Sequence, residues 1–198
     1  MSRSNVKPPV LVAAALAVLA PLALVAAPSR QPHVVDVRVL QPGGSAEIAT
    51  GVVVAPGRVL TVAHVLEDGR EISVAGAPAT VARTSPGRDL ALLAAPAARG
   101  PEVRHAGASR PLRVFLRRGG GVVARPVELR RRIVATLVDE PGRPRRAALE
   151  LGARIRSGDS GAPVVDERGD VVGIVFARST RRGGTAYAVR TDVAGALP

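Results

Sequence analysis

The segment Ser157-Gly158-Asp159-Ser160-Gly161-Ala162-Pro163 sets a serine between glycines. On a tight turn such a serine can expose its hydroxyl and bring backbone N–H groups close to a substrate carbonyl. A hydroxyl at neutral pH is a poor nucleophile, so an imidazole has to take its proton. A carboxylate has to fix that ring's tautomer and stabilise the imidazolium. Both groups occur upstream. Thr61-Val62-Ala63-His64 ends an apolar strand, and Asp89 opens the apolar run Leu90-Ala91-Leu92-Leu93. The order along the chain is therefore His64, Asp89, Ser160. Asp68 is a second carboxylate candidate, although it lies only four residues from His64. Glycine-serine turns are common on protein surfaces, so the base and its carboxylate give this one its chemical meaning.

Composition narrows the alternatives. The 198 residues carry 28 Lys and Arg against 16 Asp and Glu, a net charge of +12, and Lys7 is the single lysine. The absence of cysteine removes disulfides, thiolate zinc sites and a cysteine nucleophile together. Three histidines, His33, His64 and His105, oppose a histidine-rich metal centre, so neither metal nor cofactor is expected. His33 and His105 read as loop residues. Aromatic residues make up 2% of the chain, too few for a platform on which bases stack, and nucleic acid is not an expected partner. The clusters Arg130-Arg131-Arg132, Arg143-Pro144-Arg145-Arg146 and Arg181-Arg182 read as solvated loops or strand ends. An anionic lipid or a cell-wall polymer is a partner they could meet.

From Pro8 to Pro28 no residue is charged or strongly polar, a run of 21 residues. About 20 suffice to cross a bilayer core as a helix. With Arg3 and Lys7 before the run, the short tail is expected in the cytoplasm and everything after Arg30 outside it, as a single-pass membrane protein. The rival is a signal peptide cut after Val25-Ala26-Ala27, which would leave a secreted chain; Pro28 is a poor residue immediately after a scissile bond.

The remainder reads as short strands separated by glycine and proline turns. Val35 to Leu40 alternates at period two, and Ile48 to Val54, Arg58 to Val62, Glu71 to Val74, Ala79 to Arg83 and Asp89 to Leu93 follow. Ala94 to Ala108 is poor in strand signals and reads as a linker between halves. Beyond it come Leu112 to Leu116, Val122 to Leu129, Ile133 to Asp139, Ala147 to Arg156, Ala162 to Val165, Val171 to Phe176 and Ala186 to Val189. Val65 to Asp68 suggests one helical turn and Thr191 to Leu197 a short terminal helix. Many short strands with no long amphipathic helix indicate an all-β barrel or sandwich. No internal sequence repeat is visible.

With these pieces in order, the chain resembles the chymotrypsin-like (trypsin-fold) serine peptidases. The matching segments are Leu60-Thr61-Val62-Ala63-His64, Asp89-Leu90-Ala91-Leu92-Leu93, Gly158 to Val165 and Gly169 to Phe176. Within them it looks closest to the membrane-anchored, acid-resistance-type periplasmic serine proteases of actinobacteria. Gly119-Gly120-Gly121, Arg154 to Gly161, Gly173 to Ala177 and Thr185 to Val189 carry that closer likeness. The resemblance implies an all-β double barrel with the active site in the cleft between barrels. It divides the chain into an anchor or signal over 1–30 and a protease domain over 31–198, with barrels at about 34–100 and 110–190. It casts Ser160 as nucleophile, His64 as general base and then acid, and Asp89 as the orienting carboxylate. The backbone N–H groups of Gly158 and Ser160 would form the oxyanion hole.

It also places Arg154, Phe176 and Ala177 at substrate-binding positions. Arg154 lies six residues before Ser160, at the base of the family's primary specificity pocket, which would favour acidic side chains. The competing reading has Glu150, Gly152, Arg154 and Arg156 alternating with Leu149, Leu151, Ala153 and Ile155 along a half-exposed strand. The implied function is a membrane-tethered, extracytoplasmic serine endopeptidase acting on a protein or peptide. An inactive, protease-like module that binds extended peptides is the alternative. Two departures stand out. The family's membrane domain usually has several helices where one is expected here. An Ile-Val-Gly-Gly start is missing, so no new amine is in view to pair with Asp159, which reads as a turn residue or an arginine's partner.

Overall fold

A computed structural model describes residues 30–136 and 145–192. The expected membrane anchor lies almost entirely outside these residues, as does most of the expected helix over Thr191 to Leu197. Among the described residues no helix is long and apolar enough to cross a membrane.

Among the described residues twelve strands form two closed six-stranded barrels. The first contains β1 (Val34–Leu40), β2 (Ala46–Ala55), β3 (Arg58–Thr61), β4 (Glu71–Val74), β5 (Ala77–Ser85) and β6 (Leu90–Ala94). The second contains β7 (Leu112–Arg118), β8 (Gly121–Thr136), β9 (Arg145–Gly152), β10 (Pro163–Val165), β11 (Val171–Arg178) and β12 (Thr185–Arg190). Around the first barrel the order is β1-β2-β3-β6-β5-β4, closed by β4 against β1; around the second it is β7-β8-β9-β12-β11-β10, closed by β10 against β7. Numbered from its own first strand, each barrel has the same order, so the halves share one topology although no sequence repeat betrays it.

Period-two patterning builds these barrels. In β1 the side chains of Val35, Val37 and Val39 point inward and are buried, while Arg38 faces water. Each fully buried valine or leucine of this kind contributes roughly 1.5–3 kcal/mol. Val34, Val52, Leu60 and Leu93 of the first barrel share one apolar cluster with Phe115, Ile174, Phe176 and Val189 of the second. Arg117 of β7 also reaches across to Asp36 of β1, at 2.9 and 2.7 Å. The segment joining the barrels is pinned by Arg104, which donates to Asp170 at 3.0 and 3.2 Å, and by a parallel bridge from His105 to Val171.

Two expected boundaries are corrected. The break between Val122–Leu129 and Ile133 onward is a bulge at Leu129/Arg131 inside one strand, β8, which pairs with β7 and then β9. The strand expected to run to Arg156 stops at Gly152. The proposed alternation fails there too. Glu150 is only 3% exposed and is held by Arg131 at 2.9 Å and Arg182 at 3.3 Å, whereas Arg154 is exposed beyond the strand end. Burial opposes ionisation of Glu150, but the hydrogen bond and charge of Arg131, with Arg182, outweigh it and hold its pKa below the ordinary carboxylate value. Arg131 and Arg182 are therefore tethered, not loose in solvent. Arg146, also read as solvated, is 3% exposed.

Candidate active site

His64 begins a 3₁₀ turn, His64–Leu66, immediately beyond β3, with Val65 buried as its anchor. Asp89 ends another, Pro86–Arg88, immediately before β6. Because β3 and β6 pair, with Thr61 opposite Ala91, the two turns leave the barrel side by side. The Asp89 carbonyl accepts from the Ala63 N–H at 3.2 Å. Its carboxylate accepts from the His64 backbone N–H at 2.8 Å and contacts ring Nδ1 at 2.7 Å. Asp89 sits in the left-handed region, φ 56°, a conformation that aspartate tolerates better than most residues. Its side chain is 2% exposed and that of His64 is 35% exposed. An ionised carboxylate only accepts, so Nδ1 carries the ring proton and Nε2 keeps its lone pair. That tautomer can take a proton from a hydroxyl.

Asp68, the other carboxylate considered, is exposed on a turn with φ 59°. Sequence reasoning missed the group behind Asp89. Arg146 of β9 brings its guanidinium within 3.6 Å of Asp89 Oδ2, donates to the Gly87 and Pro86 carbonyls at 3.4 Å each, and lies 5.6 Å from the Phe176 ring centre. Its place inside an arginine-rich cluster gave no signal of burial.

Ser160 belongs to the second barrel, but its loop is fastened to the first. The Thr50 N–H donates to the Ser160 carbonyl at 2.7 Å, and the Thr50 hydroxyl donates to the Gly158 carbonyl at 2.8 Å. The Thr61 hydroxyl closes the set on the Thr50 carbonyl at 2.8 Å. Thr61 precedes His64 by three residues, so the serine loop rests on the strands that lead into the histidine. Gly161 makes the approach possible. A Cβ there would lie 1.7 Å from the Thr50 carbonyl oxygen, and its φ is +89°.

The turn at the serine is braced by Asp159, which is 1% exposed. Arg118 donates to its two oxygens at 2.5 and 2.7 Å, and the Arg156 N–H donates at 2.6 Å. The hydrogen bond that Arg118 donates to Asp159 raises the pKa of Arg118. Gly158, at φ +89°, completes the turn. An arginine of the same chain thus partners the carboxylate for which sequence offered no amine.

Phe176 and Ala177 lie on β11 beyond its pairing with β10, which ends at Ile174. Phe176 is the bulged residue between Val175 and Ala177. Its ring is buried, 6.5 Å from the Tyr187 ring centre.

Two closed barrels of one topology, with these loops at their junction, form the architecture of chymotrypsin-like peptidases. A family described as the trypsin-like peptidase domain matches residues 49–174, and the chain belongs to that family. It is 31% identical over 183 residues to serine protease Rv3671c of Mycobacterium tuberculosis, an alignment covering 84% of this chain and 46% of the relative, so the chain spans about half that protein's length. It superposes on the active form of the Rv3671c protease with a TM-score of 0.75 and 30% identity, covering 84% of this chain and 79% of that one. On the inactive form of that protease the TM-score is 0.69 and the identity 32%, over 82% and 85% of the two chains.

Proposed function

We propose that the protein is a serine endopeptidase that cleaves peptide bonds through an acyl-enzyme on Ser160. The observation that carries this reading is the double hold of buried Asp89 on His64, which leaves Nε2 as a base. In the first step Ser160 Oγ bonds to the scissile carbonyl carbon and its proton passes to His64 Nε2. The carbonyl oxygen becomes an oxyanion facing the N–H groups of Gly158 and Ser160. The tetrahedral adduct then collapses, the C–N bond breaks, and the amine leaves with the proton from His64. Water, deprotonated by the same imidazole, attacks the ester and releases the acid and free Ser160. Aspartate stays ionised throughout and stabilises the imidazolium. An extended substrate adds beside β11, with the backbone of Phe176 and Ala177 as its partner.

The apolar run Pro8–Pro28, preceded by Arg3 and Lys7, supports tethering to a membrane with the peptidase outside the cytoplasm. Purified full-length protein should cut unstructured polypeptides at internal bonds, and Ser160→Ala should not. Equal fragmentation by both would assign the cleavage to a contaminant and remove the proposal's support.

A further inference from the structure

A cavity of about 960 Å³ opens beside the serine loop, between the β7–β8 hairpin, the segment 152–156 and the loop 178–185. Among the described residues five arginines line it, Arg118, Arg125, Arg154, Arg156 and Arg178, and no acidic side chain does. Arg118 is spent on Asp159. The other four side chains make no hydrogen bond or ion pair among the described residues, and all four residues are exposed. Elsewhere Arg104 is matched with Asp170, Arg117 with Asp36, Arg131 with Glu150 and Arg190 with Asp192, while other exposed arginines, Arg38, Arg58, Arg83 and Arg113 among them, make no side-chain bond among the described residues. What marks this hollow is that four such guanidinium groups line it together.

We infer that this cavity receives the carboxylate side chains of acidic peptide substrates. The inference rests on the peptidase reading above and names its substrate class. Two connections favour a peptide over other anions. Arg154 and Arg156 stand directly before the Ser157-Gly158 turn, and Arg178 directly follows Ala177 on the free reach of β11. A chain lying along β11 with its scissile bond at Ser160 therefore runs past the cavity mouth. Guanidinium groups match carboxylates with paired, charge-assisted hydrogen bonds. The walls between them are apolar, from Val114, Leu116, Val123 and Ile155, and suit the methylene stem of glutamate. No aromatic ring lines the cavity, so it offers bases nothing to stack on.

The test uses full-length Ser160→Ala protein and two fluorescent peptides that differ only in Glu against Gln. Anisotropy should show the acidic peptide binding about tenfold or more tightly, the scale of a charged hydrogen bond. The combined substitution Arg154→Gln and Arg178→Gln should reduce its affinity to that of the amide twin. Unfolding midpoints of the variants establish that the fold is intact, and a single substitution, Arg154→Gln, serves if the pair unfolds. Equal binding of the two peptides overturns the inference. So does an acidic preference that survives the substitutions, or displacement of the peptide by duplex DNA of equal charge concentration, which would mark a general polyanion surface. Labelling of wild-type Ser160 by a fluorophosphonate separates the failures. Without labelling the peptidase reading falls while binding can still be read; labelling without acidic preference removes this inference alone.

Discussion

Asp89 grips His64 at two points, the backbone N–H at 2.8 Å and ring Nδ1 at 2.7 Å, so a single carboxylate sets both where the histidine stands and which nitrogen carries the ring proton. Replacement by asparagine keeps the volume but offers an N–H to the ring and favours the wrong tautomer. Asp89→Asn should lower kcat by about 10⁴ while KM changes little. Steady-state kinetics on a peptide ester measures both parameters.

Arg118 donates to both oxygens of Asp159, so the serine turn is braced from within the described residues. Arg118→Met leaves a buried carboxylate without the two bonds that Arg118 donates and should loosen the Gly158 and Ser160 N–H groups. Loss of one oxyanion donor costs about 10²–10³ in turnover, and a drop of about 10² is expected here. The reaction rate with a fluorophosphonate reports it, and Arg118→Lys should restore part.

Gly161 and Gly44 share nearly the same φ, +89° and +87°, but only Gly161 has a carbonyl oxygen where its Cβ would go. Gly44→Ala should cost only the backbone strain, about 1–3 kcal/mol. Gly161→Ala has to separate the serine loop from Thr50 as well and should lose more stability than Gly44→Ala and all activity. Urea unfolding of the two variants compares them.

Burial pushes the His105 pKa below its ordinary value of 6.5, against the opposing charge of Asp170. The folded protein therefore favours the neutral ring, and as pH falls through 6.5 the unfolded chain binds the proton first. This stabilising contribution is complete above that pH and is lost progressively below it. Arg104, paired with Asp170, is the neighbouring cation. Between about pH 8 and about pH 5 the wild type should lose more unfolding free energy than His105→Gln, measured by denaturant titration.

The contrast between legible and hidden features has physical causes. β1 and β4 were readable because local alternation and flanking glycines determine them. β8 was read as two strands because Arg130-Arg131-Arg132 broke the apolar pattern, yet bonds to Glu150, Thr185 and Ala108 keep that stretch in the sheet. Asp89 could be favoured over Asp68 because an apolar run follows it at the distance of a paired strand. The shared barrel topology stayed hidden, since pairings such as β1 with β4 depend on distant segments. Arg146 behind Asp89 was equally hidden, and so was which arginine partners Asp159. Each is one arginine among many, and only three-dimensional proximity singles it out.

The most direct measurement is labelling of the full-length protein with a fluorophosphonate, with the modified residue mapped by peptide mass spectrometry. The account predicts one adduct, on Ser160, abolished in Ser160→Ala and strongly slowed in both His64→Ala and Asp89→Asn. Folded wild-type protein that takes no label, or labels at another serine, would contradict it.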